Sequence, residues 1–247
     1  MPNEEYNSVE GGLGLAARRI IAYVVLIILA FLCLFWFYLL FINSTRSHSQ
    51  LTAGFTLIPS SSLQKNFMGV MKGTQPILRG MLNSLIIASI AAIASTYFSA
   101  MTAYAIYVYD FKAKKAIFSF ILAVMMIPTQ VTALGFIKLI LRIGLNDSYL
   151  ALIIPAIAAP AVFYYMHQYM ESTLPHAIVE AARIDGSSEW KTFNTISLPI
   201  MRPAMAVQLI FAFVSNWNNY FTPALVLQTE KKKTLPILIA QLRSADF

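Results

Sequence analysis

Two groups of residues in this sequence have types and spacings that could do chemistry, and the first is a cluster of amides and aromatic rings. The cluster is Asn216, Trp217, Asn218, Asn219 and Tyr220, five consecutive positions in an otherwise apolar stretch. Amide groups beside aromatic faces suit a sugar, which offers hydroxyls for hydrogen bonds and C–H faces for stacking. An aromatic belt with amide bonds between helices would produce the same pattern, and both interpretations stay open. Gln130, in another apolar stretch, is a further candidate.

The second group is a charged, turn-bearing segment, VEAARIDGSSEWKTFNTISLPIMRP, at residues 179–203. Apolar residues at helical spacing predict a helix over 174–184, with Glu180, Arg183 and Asp185 on its other faces. Gly186 then predicts a left-handed stop. Serines 187 and 188 predict the start of a second short helix, which we expect prolines 199 and 203 to end as they open the next apolar stretch.

Catalytic and metal-binding patterns are missing from the sequence. It contains no glycine-rich phosphate loop, no G-x-S-x-G nucleophile motif and no His or carboxylate pair within an apolar run. Cys33 is the single cysteine, which excludes an intrachain disulfide and a cysteine metal site. We therefore expect no catalytic residue, no metal site and no cofactor bound by this chain.

The composition indicates a membrane protein of the all-α class. Of 247 residues, 58% are hydrophobic and only 12% are charged, about half the charge of an ordinary globular protein. Five apolar runs are long enough to cross a bilayer, which needs roughly 20 helical residues. They are Ile20 to Ile42, the interval from Arg79 to Asp110, a run from Lys115 past Met126 toward Lys138, Tyr149 to Met170, and the interval from Arg202 to Glu230. The prediction is a polytopic helical bundle with five visible spans.

Charge and length divide the chain into a polar N-terminal tail at 1–19 and a transmembrane domain at 20–247. The first run is longer than a signal-peptide core and no cleavage pattern follows it, so it predicts an anchor. The DFKAKK turn at 110–115 favours a cytoplasmic N-terminus, with 43–79 outside and 171–202 inside. The net charge of +7 is split among membrane-flanking loops, which indicates contacts with lipid headgroups and not a nucleic-acid surface.

The spacing in the charged segment resembles the EAA loop of bacterial ABC importer permeases. Its elements are Glu180, Ala181 and Ala182, then Gly186 after three residues, then Ile196, Leu198 and Pro199 after nine more. The words LPHAIVEAARIDGSS, SLPIMRPA and WNNYFTP are similar to the carbohydrate-uptake, maltose-type branch of that family. The resemblance runs from about residue 83 to residue 238.

This resemblance implies a permease subunit that carries a sugar or oligosaccharide through a bacterial cell membrane. Its expected partners are a second homologous permease, an ATP-binding-cassette ATPase dimer that holds ATP and Mg²⁺, an extracytoplasmic solute-binding protein and membrane lipid. The family has six spans, one more than the five visible runs, so we expect truncation or loss of a terminal span. The alternative is a non-transporting membrane scaffold or receptor subunit, which would not need the EAA spacing.

The resemblance also assigns roles within the loop 171–202, which in the family docks on the ATPase. Ala181 and Ala182 would let the helix approach the ATPase closely, and Gly186 would permit the sharp turn. Glu180 would carry charge at the interface, paired with Arg183 or with a basic residue of the partner. The aromatic rings at 190 and 193 would face the partner or pack back onto this subunit, and the sequence leaves both open.

Overall fold

A computed structural model describes residues 11–73 and 75–245, and all regular structure in that part of the chain is helical. The helices are α1 (Gly11–Ser44), α2 (His48–Thr52), α3 (Leu63–Lys72), α4 (Ile77–Val108), α5 (Lys114–Met125), α6 (Thr129–Arg142), α7 (Leu150–Ile157), α8 (Pro160–Thr173), α9 (His176–Ile184), α10 (Glu189–Thr192), α11 (Leu198–Ile200), α12 (Arg202–Trp217), α13 (Phe221–Val226) and α14 (Leu235–Ala245). A π-helical turn covers Phe193–Ser197, and a 3-10 turn covers Glu230–Lys232. The all-α prediction is confirmed.

Two compact units make up the chain, Met1–Gly73 and Thr74–Phe247. In the first unit, α1 is a 34-residue apolar helix with exposed side chains along most of its length. It contains the predicted run Ile20 to Ile42 and begins nine residues before it. Of the predicted tail, residues 11–19 belong to α1 and residues 1–10 lie outside the described part. The domain boundary at residue 19 stays a prediction.

Side chains of the same unit donate to backbone carbonyls at the end of α1 and in the segment after it. Asn66, on α3, donates its amide N–H groups to the carbonyls of Ser44 and Arg46, at 2.8 Å each. The Arg46 guanidinium donates to the carbonyls of Gln50 and, at 2.7 Å, Gly54. These bonds fold the 45–66 segment back onto the helix end.

In the second unit, α4 is the central helix and packs against α7, α8, α12 and α14. Its buried face is made of small residues, among them Ala88, Ala91 and Ala100, each essentially inaccessible to solvent. In lipid, burial of apolar side chains contributes little to helix association, and small side chains help instead because they let helix backbones approach closely. Four hydroxyl residues of α4 pack inside the bundle, since Ser84, Ser95, Thr96 and Ser99 are buried. Thr102 is exposed.

The third predicted run is not one straight span. α5 and α6 are bent by 105° relative to each other. Pro128 stands at the break as the N-cap of α6, in extended conformation. Its ring removes a backbone donor and disfavours a helical conformation in the preceding residue, which explains why the helix cannot continue.

The fourth run holds as a 24-residue span, Leu150–Thr173, formed by α7 and α8. The fifth is shorter than predicted, because α12 ends at Trp217 and a break at residues 218–220 separates it from α13. Within the described residues, three helices are long and apolar enough to cross a membrane, or up to five if each bent pair is one span.

Near the end of the described chain, the 3-10 turn Glu230–Lys232 is followed by α14. The two elements attach to the start of α4: the Asn83 amide donates to the carbonyls of Lys231 and Lys233, at 3.0 and 2.9 Å. Nearby, a Cβ on Gly80 would lie 2.4 Å from Leu238, so glycine allows close contact between α4 and α14.

Candidate functional site

The candidate coupling loop begins with α9. Leu174 precedes Pro175, and because a residue before proline avoids the helical region, Leu174 is extended and α9 starts at His176. The predicted start at Leu174 is therefore two residues too early. Leu174 is itself almost fully buried, so the loop is anchored in the core at the point where it leaves α8.

The turn after α9 is closed by glycine, as predicted. Gly186 has a φ of +74°. Its N–H donates to the Arg183 carbonyl at 3.0 Å, and the Ser187 N–H donates to the Ala182 carbonyl at 2.9 Å. This pair of bonds is the Schellman motif, which satisfies the last carbonyls of a helix and fixes the direction of the chain that follows.

The second helix of the loop is capped by one of the two predicted serines. The Ser188 hydroxyl accepts from the Lys191 N–H at 3.4 Å, which places Ser188 as the N-cap of α10. The Ser187 hydroxyl instead bonds to the Thr192 hydroxyl at 3.0 Å. Both serines therefore tie the turn to the helix that follows it.

The prediction that Pro199 ends this helix is wrong. Helical structure continues from α10 through the π turn and Pro199 to Ile200. In the π turn, the Leu198 N–H donates to the carbonyl of Phe193, five residues back. This wider turn relaxes the spacing just where a proline lacks its N–H and crowds the preceding carbonyl, so the proline is accommodated. Pro203 does lie in the first turn of α12, as predicted.

An ion pair that the sequence did not suggest joins the two helices of the loop. Arg183 Nε donates to Glu189 Oε1 at 2.7 Å, and the Tyr104 hydroxyl on α4 donates to Glu189 Oε2 at 3.3 Å. The Arg183 guanidinium lies 5.5 Å from the centre of the Tyr109 ring. The hydrogen bond from Arg183 holds the pKa of Glu189 below its ordinary value. Arg183 is thus not paired with Glu180, one of the two arrangements expected.

Phe193 and Trp190 resolve the two possibilities left open for the aromatic rings. Phe193 is 2% exposed and lies 5.8 and 5.3 Å, centre to centre, from the rings of Tyr97 and Tyr104 on α4. Trp190 is 62% exposed, although it meets the Tyr97 ring in an edge-to-face arrangement with ring centres 6.5 Å apart. Phe193 therefore packs back onto this subunit, whereas Trp190 stays largely free.

The outer face of the loop is exposed and mixed in character. Ile184 is 87% exposed, and Glu180, Ala181 and Asp185 are exposed beside it. Glu180 makes no hydrogen bond or ion pair with any residue that the structure describes. Ala182 differs from the expectation that it faces a partner, because it is 6% exposed and already packed inside this chain.

The remaining residues of the motif support the loop from within. Ile196, Leu198 and Pro199 are all half-buried. Leu198 packs against the core cluster that contains Phe193 and Met201. These positions therefore connect the outer helix to α12 and α4.

The predicted pathway cluster lies at the end of α12 and in the break that follows. The Asn216 and Asn218 amides donate back to the carbonyls of Ala212 and Val214, at 2.8 and 3.0 Å. Asn219 Oδ1 accepts from the N–H of Thr222 at 3.3 Å, at the start of α13. The asparagines thus shape the two helix ends around the break. Whether they contact substrate stays a prediction.

The other pathway candidates are not gathered at one point. Trp217 stacks on Phe213, with ring centres 5.7 Å apart. Tyr220 is about half exposed and lines a cavity of about 420 Å³ together with Gln228 and Lys233. Gln130 lies in the first turn of α6 with an exposed side chain. The sequence cluster therefore divides between helix-end hydrogen bonds, a ring stack and an open cavity.

Asp147 forms a polar clamp that the sequence analysis missed. Its carboxylate accepts from the N–H groups of Gln228 and Thr229 at 2.9 and 3.1 Å, from the Thr229 hydroxyl at 2.7 Å and from Lys232 Nζ at 2.9 Å. These hydrogen bonds, the one from the Thr229 hydroxyl above all, hold the pKa of Asp147 well below its ordinary value. The partners are more than 80 residues away along the chain, and no local pattern reveals such a pair.

Within residues 11–73 and 75–245, no group of three His, Cys, Asp or Glu side chains could hold a metal ion. That this chain binds no cofactor stays a prediction.

Comparison with known proteins places this geometry in a family. Residues 95–245 match the family model described as "Binding-protein-dependent transport system inner membrane component". The chain is 35% identical over 217 residues to the arabinooligosaccharides transport system permease protein AraQ of Halalkalibacterium halodurans, covering 87% of this chain and 77% of the relative. It is 32% identical over 213 residues to the sn-glycerol-3-phosphate transport system permease protein UgpE of Yersinia pestis, covering 84% and 75%.

A third relative, the lactose transport system permease protein LacG of Rhizobium radiobacter, is 28% identical over 226 residues, covering 92% of this chain and 82% of the relative. Among solved structures, a bacterial ABC transporter involved in the import of the acidic polysaccharide alginate shares the fold, with a TM-score of 0.77 at 22% identity. That match covers 93% of this chain and 80% of the transporter chain. The chain belongs to the family of inner-membrane components of binding-protein-dependent transport systems.

Proposed function

We propose that this multi-pass membrane permease carries a sugar or oligosaccharide across a bacterial inner or plasma membrane as part of an ATP-binding-cassette importer. Relatives named for arabinooligosaccharide and lactose transport support a carbohydrate substrate. ATP and Mg²⁺ would be held by a separate ATPase dimer, and a second permease and an extracytoplasmic binding protein would complete the assembly. No observation favours the scaffold or receptor alternative.

The observation that carries the proposal is the division of the coupling loop into an outer and an inner face. Ile184 and Trp190 are largely exposed on the outside, while Ala182 and Phe193 are buried on the inside. Exposed apolar side chains in a segment that also exposes the carboxylates of Glu180 and Asp185 have the composition of a protein-docking surface. The ATPase subunit is the partner that the family provides for it.

The inner face supplies a route for motion. Phe193 packs between Tyr97 and Tyr104 of α4, and the Tyr97 hydroxyl donates to Asn194 Oδ1 at 3.0 Å. The helical stretch Glu189–Ile200 then meets α12 at an angle of 81°. Because the Schellman turn and the Arg183–Glu189 pair make the two outer helices one unit, displacement of that unit would move α4 and α12 together.

The proposed substrate route lies beside the break that follows α12. Interrupted helices within membrane proteins are tolerated where the unpaired backbone lines a cavity or is covered by protein. Tyr220 opens on a cavity of about 420 Å³ with polar side chains. Hydroxyl and amide groups at such a break suit the hydroxyls of a sugar.

The test is reconstitution of the importer in proteoliposomes with variants of the outer face. Ile184→Ser and Trp190→Ala should weaken co-purification of the ATPase and lower both sugar uptake and stimulated ATP hydrolysis. Phe67→Ser is the matched control, because Phe67 is 61% exposed in the first unit and belongs to neither face of the loop. Wild-type ATPase binding and uptake in both loop variants would refute the docking role.

A further inference from the structure

A cleft distinct from the outer face of the coupling loop and from the pathway cluster opens where α4 ends, α5 begins and α8 ends. Glu171, one of its lining residues, is the first residue of the loop 171–202. Its volume is about 450 Å³, within the range of about 300 to 1,000 Å³ in which small-molecule sites fall. Its polar lining comes from three helices: Tyr107 of α4, Lys114, Lys115 and Ser119 of α5, and His167 and Glu171 of α8. The ends of α4 and α8 are held together by the Tyr107 hydroxyl, which donates to the Leu174 carbonyl at 2.7 Å.

The lining is layered by depth. Lys114 and Lys115 form the first turn of α5, and Phe118 follows one turn deeper. α8 runs in the opposite sense toward the same membrane face, so Glu171 lies near its end and His167 one turn deeper. The cleft therefore has charged groups at its mouth and aromatic and imidazole rings at its floor. This fall in polarity with depth matches the fall in polarity of a lipid from its headgroup to its acyl chains.

His167 lies buried at the floor of the cleft. It is 6% exposed, neither ring nitrogen makes a hydrogen bond with a residue that the structure describes, and Nδ1 is fully enclosed. The nearest charge is Glu171, whose Oε1 lies 3.7 Å from Nδ1. The rings of Tyr107, Phe118 and Phe163 surround the imidazole, with centres 6.4, 4.9 and 5.9 Å from its own, so His167 belongs to the aromatic floor of the cleft.

The mouth carries both signs of charge. Lys115 is exposed and makes no ion pair within the described residues, whereas Lys114 bonds to Asp110 Oδ1 at 3.1 Å. α5 begins without a side-chain cap, which leaves first-turn N–H groups and the positive end of the helix dipole at the same point. On the opposite wall, the Glu171 carboxylate is half exposed and accepts from Gln168 Nε2 at 3.1 Å.

We propose that this cleft binds the headgroup of phosphatidylethanolamine from the surrounding membrane. The phosphate meets Lys115 and the first turn of α5, and the primary ammonium donates to Glu171. An anionic headgroup with no cation would leave Glu171 facing a negative charge. A trimethylated choline headgroup would fit less well, because it has no N–H to donate to the carboxylate.

The test uses the whole transport complex, purified in mild detergent and examined by native mass spectrometry for retained lipid. Phosphatidylethanolamine should stay bound to the unmodified complex, and Lys115→Gln or Glu171→Gln should each reduce its retention about fivefold or more, since each removes one charge-assisted hydrogen bond. Lys115→Arg should retain the lipid. Lys112→Gln is the matched control, because Lys112 lies in the same turn but does not line the cleft.

Three results would overturn the proposal. The first is equal retention of phosphatidylethanolamine in all variants, which would mean that the lipid is held elsewhere. The second is preferential retention of phosphatidylglycerol or phosphatidylcholine after reconstitution in mixed nanodiscs. The third is that soluble phosphoethanolamine saturates the cleft at the same concentration as the lipid does, which would identify a site for a free metabolite. Loss of retention in Lys115→Gln and Glu171→Gln, with retention kept in Lys115→Arg and Lys112→Gln, supports it.

Discussion

Arg183 Nε lies 2.7 Å from Glu189 Oε1, so the two helices of the coupling loop are joined across the glycine turn by a direct hydrogen bond. The pair spans six residues, a separation that no single helix would bring together. Because the Tyr104 hydroxyl also donates to Glu189, the pair connects the loop to α4. Glu189 thereby links the second helix of the loop both to the first helix and to the transmembrane core.

Breaking this pair should weaken coupling by a modest amount. Both side chains are more than a third exposed, and exposed ion pairs contribute only about 0 to 1 kcal/mol. We therefore expect Arg183→Gln or Glu189→Gln to lower uptake per ATP hydrolysed by less than about tenfold. Uptake and hydrolysis measured together in proteoliposomes give the ratio. The charge-reversed double variant should recover part of the loss, and failure of both single variants to change the ratio would contradict a coupling role.

Replacement of Gly186 should test backbone strain alone, because a Cβ at this position meets no atom within 4 Å. Valine disfavours a φ of +74°, and strain of this kind costs about 1 to 3 kcal/mol. Asparagine accepts the left-handed region more readily. Gly186→Val should therefore reduce ATPase co-purification and uptake, while Gly186→Asn stays close to the unmodified protein. Equal effects of the two variants would show that the turn conformation does not matter.

Neighbouring alanines in the loop give a matched pair of substitutions. Ala182 is buried and Ala181 is exposed. Ala182→Trp overpacks the interior of this chain, which typically costs about 1 to 3 kcal/mol, and should lower the thermal midpoint of the permease itself. Ala181→Trp should leave that midpoint unchanged and reduce ATPase association. Thermal unfolding of the purified permease and co-purification of the ATPase separate the two effects, and the reverse assignment would refute the burial pattern.

Sequence reasoning succeeded where a local rule governs the outcome. Gly186 closes α9 because glycine is the residue that adopts positive φ freely, and Ser188 caps α10 for an equally local reason. It failed where long-range contacts decide. Asp147 and Lys232 are 85 residues apart, and the break after Trp217 lies in a stretch whose hydrophobicity predicts a continuous span. The π turn at Phe193–Ser197 was missed for another reason, because the rule that a proline ends a helix does not foresee a wider turn that accommodates the proline.

Two asparagines at the break after α12 should separate a pathway role from a structural one. Asn218 is exposed and only its amide nitrogen is bonded, to its own helix. Asn218→Ala should lower sugar uptake without changing thermal stability or basal ATP hydrolysis. Asn219→Ala removes the acceptor at the start of α13, a loss of about 0.5 to 2 kcal/mol in comparable caps, and should lower stability. Unchanged uptake in Asn218→Ala would leave helix-end packing as the role of the cluster.

The Asp147 clamp should make the stability of the second unit depend on acid pH. The pKa of Asp147 is depressed in the folded protein by its hydrogen bonds to Thr229, Gln228 and Lys232. A depressed folded-state pKa means that the stabilisation is fully present above the unfolded-state value of about 3.9 and is lost as the pH falls below that value toward the folded-state pKa.

Asp147→Asn tolerates the φ of +53° at this position but loses the charge opposite Lys232. The thermal midpoint of the variant should lie below that of the unmodified protein at pH 7, and the difference should shrink as the pH is lowered below about 4. Lys232→Gln is the matching change on the other side of the pair and should reproduce the deficit at pH 7 while keeping the hydrogen bonds from Thr229. Equal midpoints at pH 7, or a difference that does not change with pH, would show that the carboxylate charge does not stabilise the clamp.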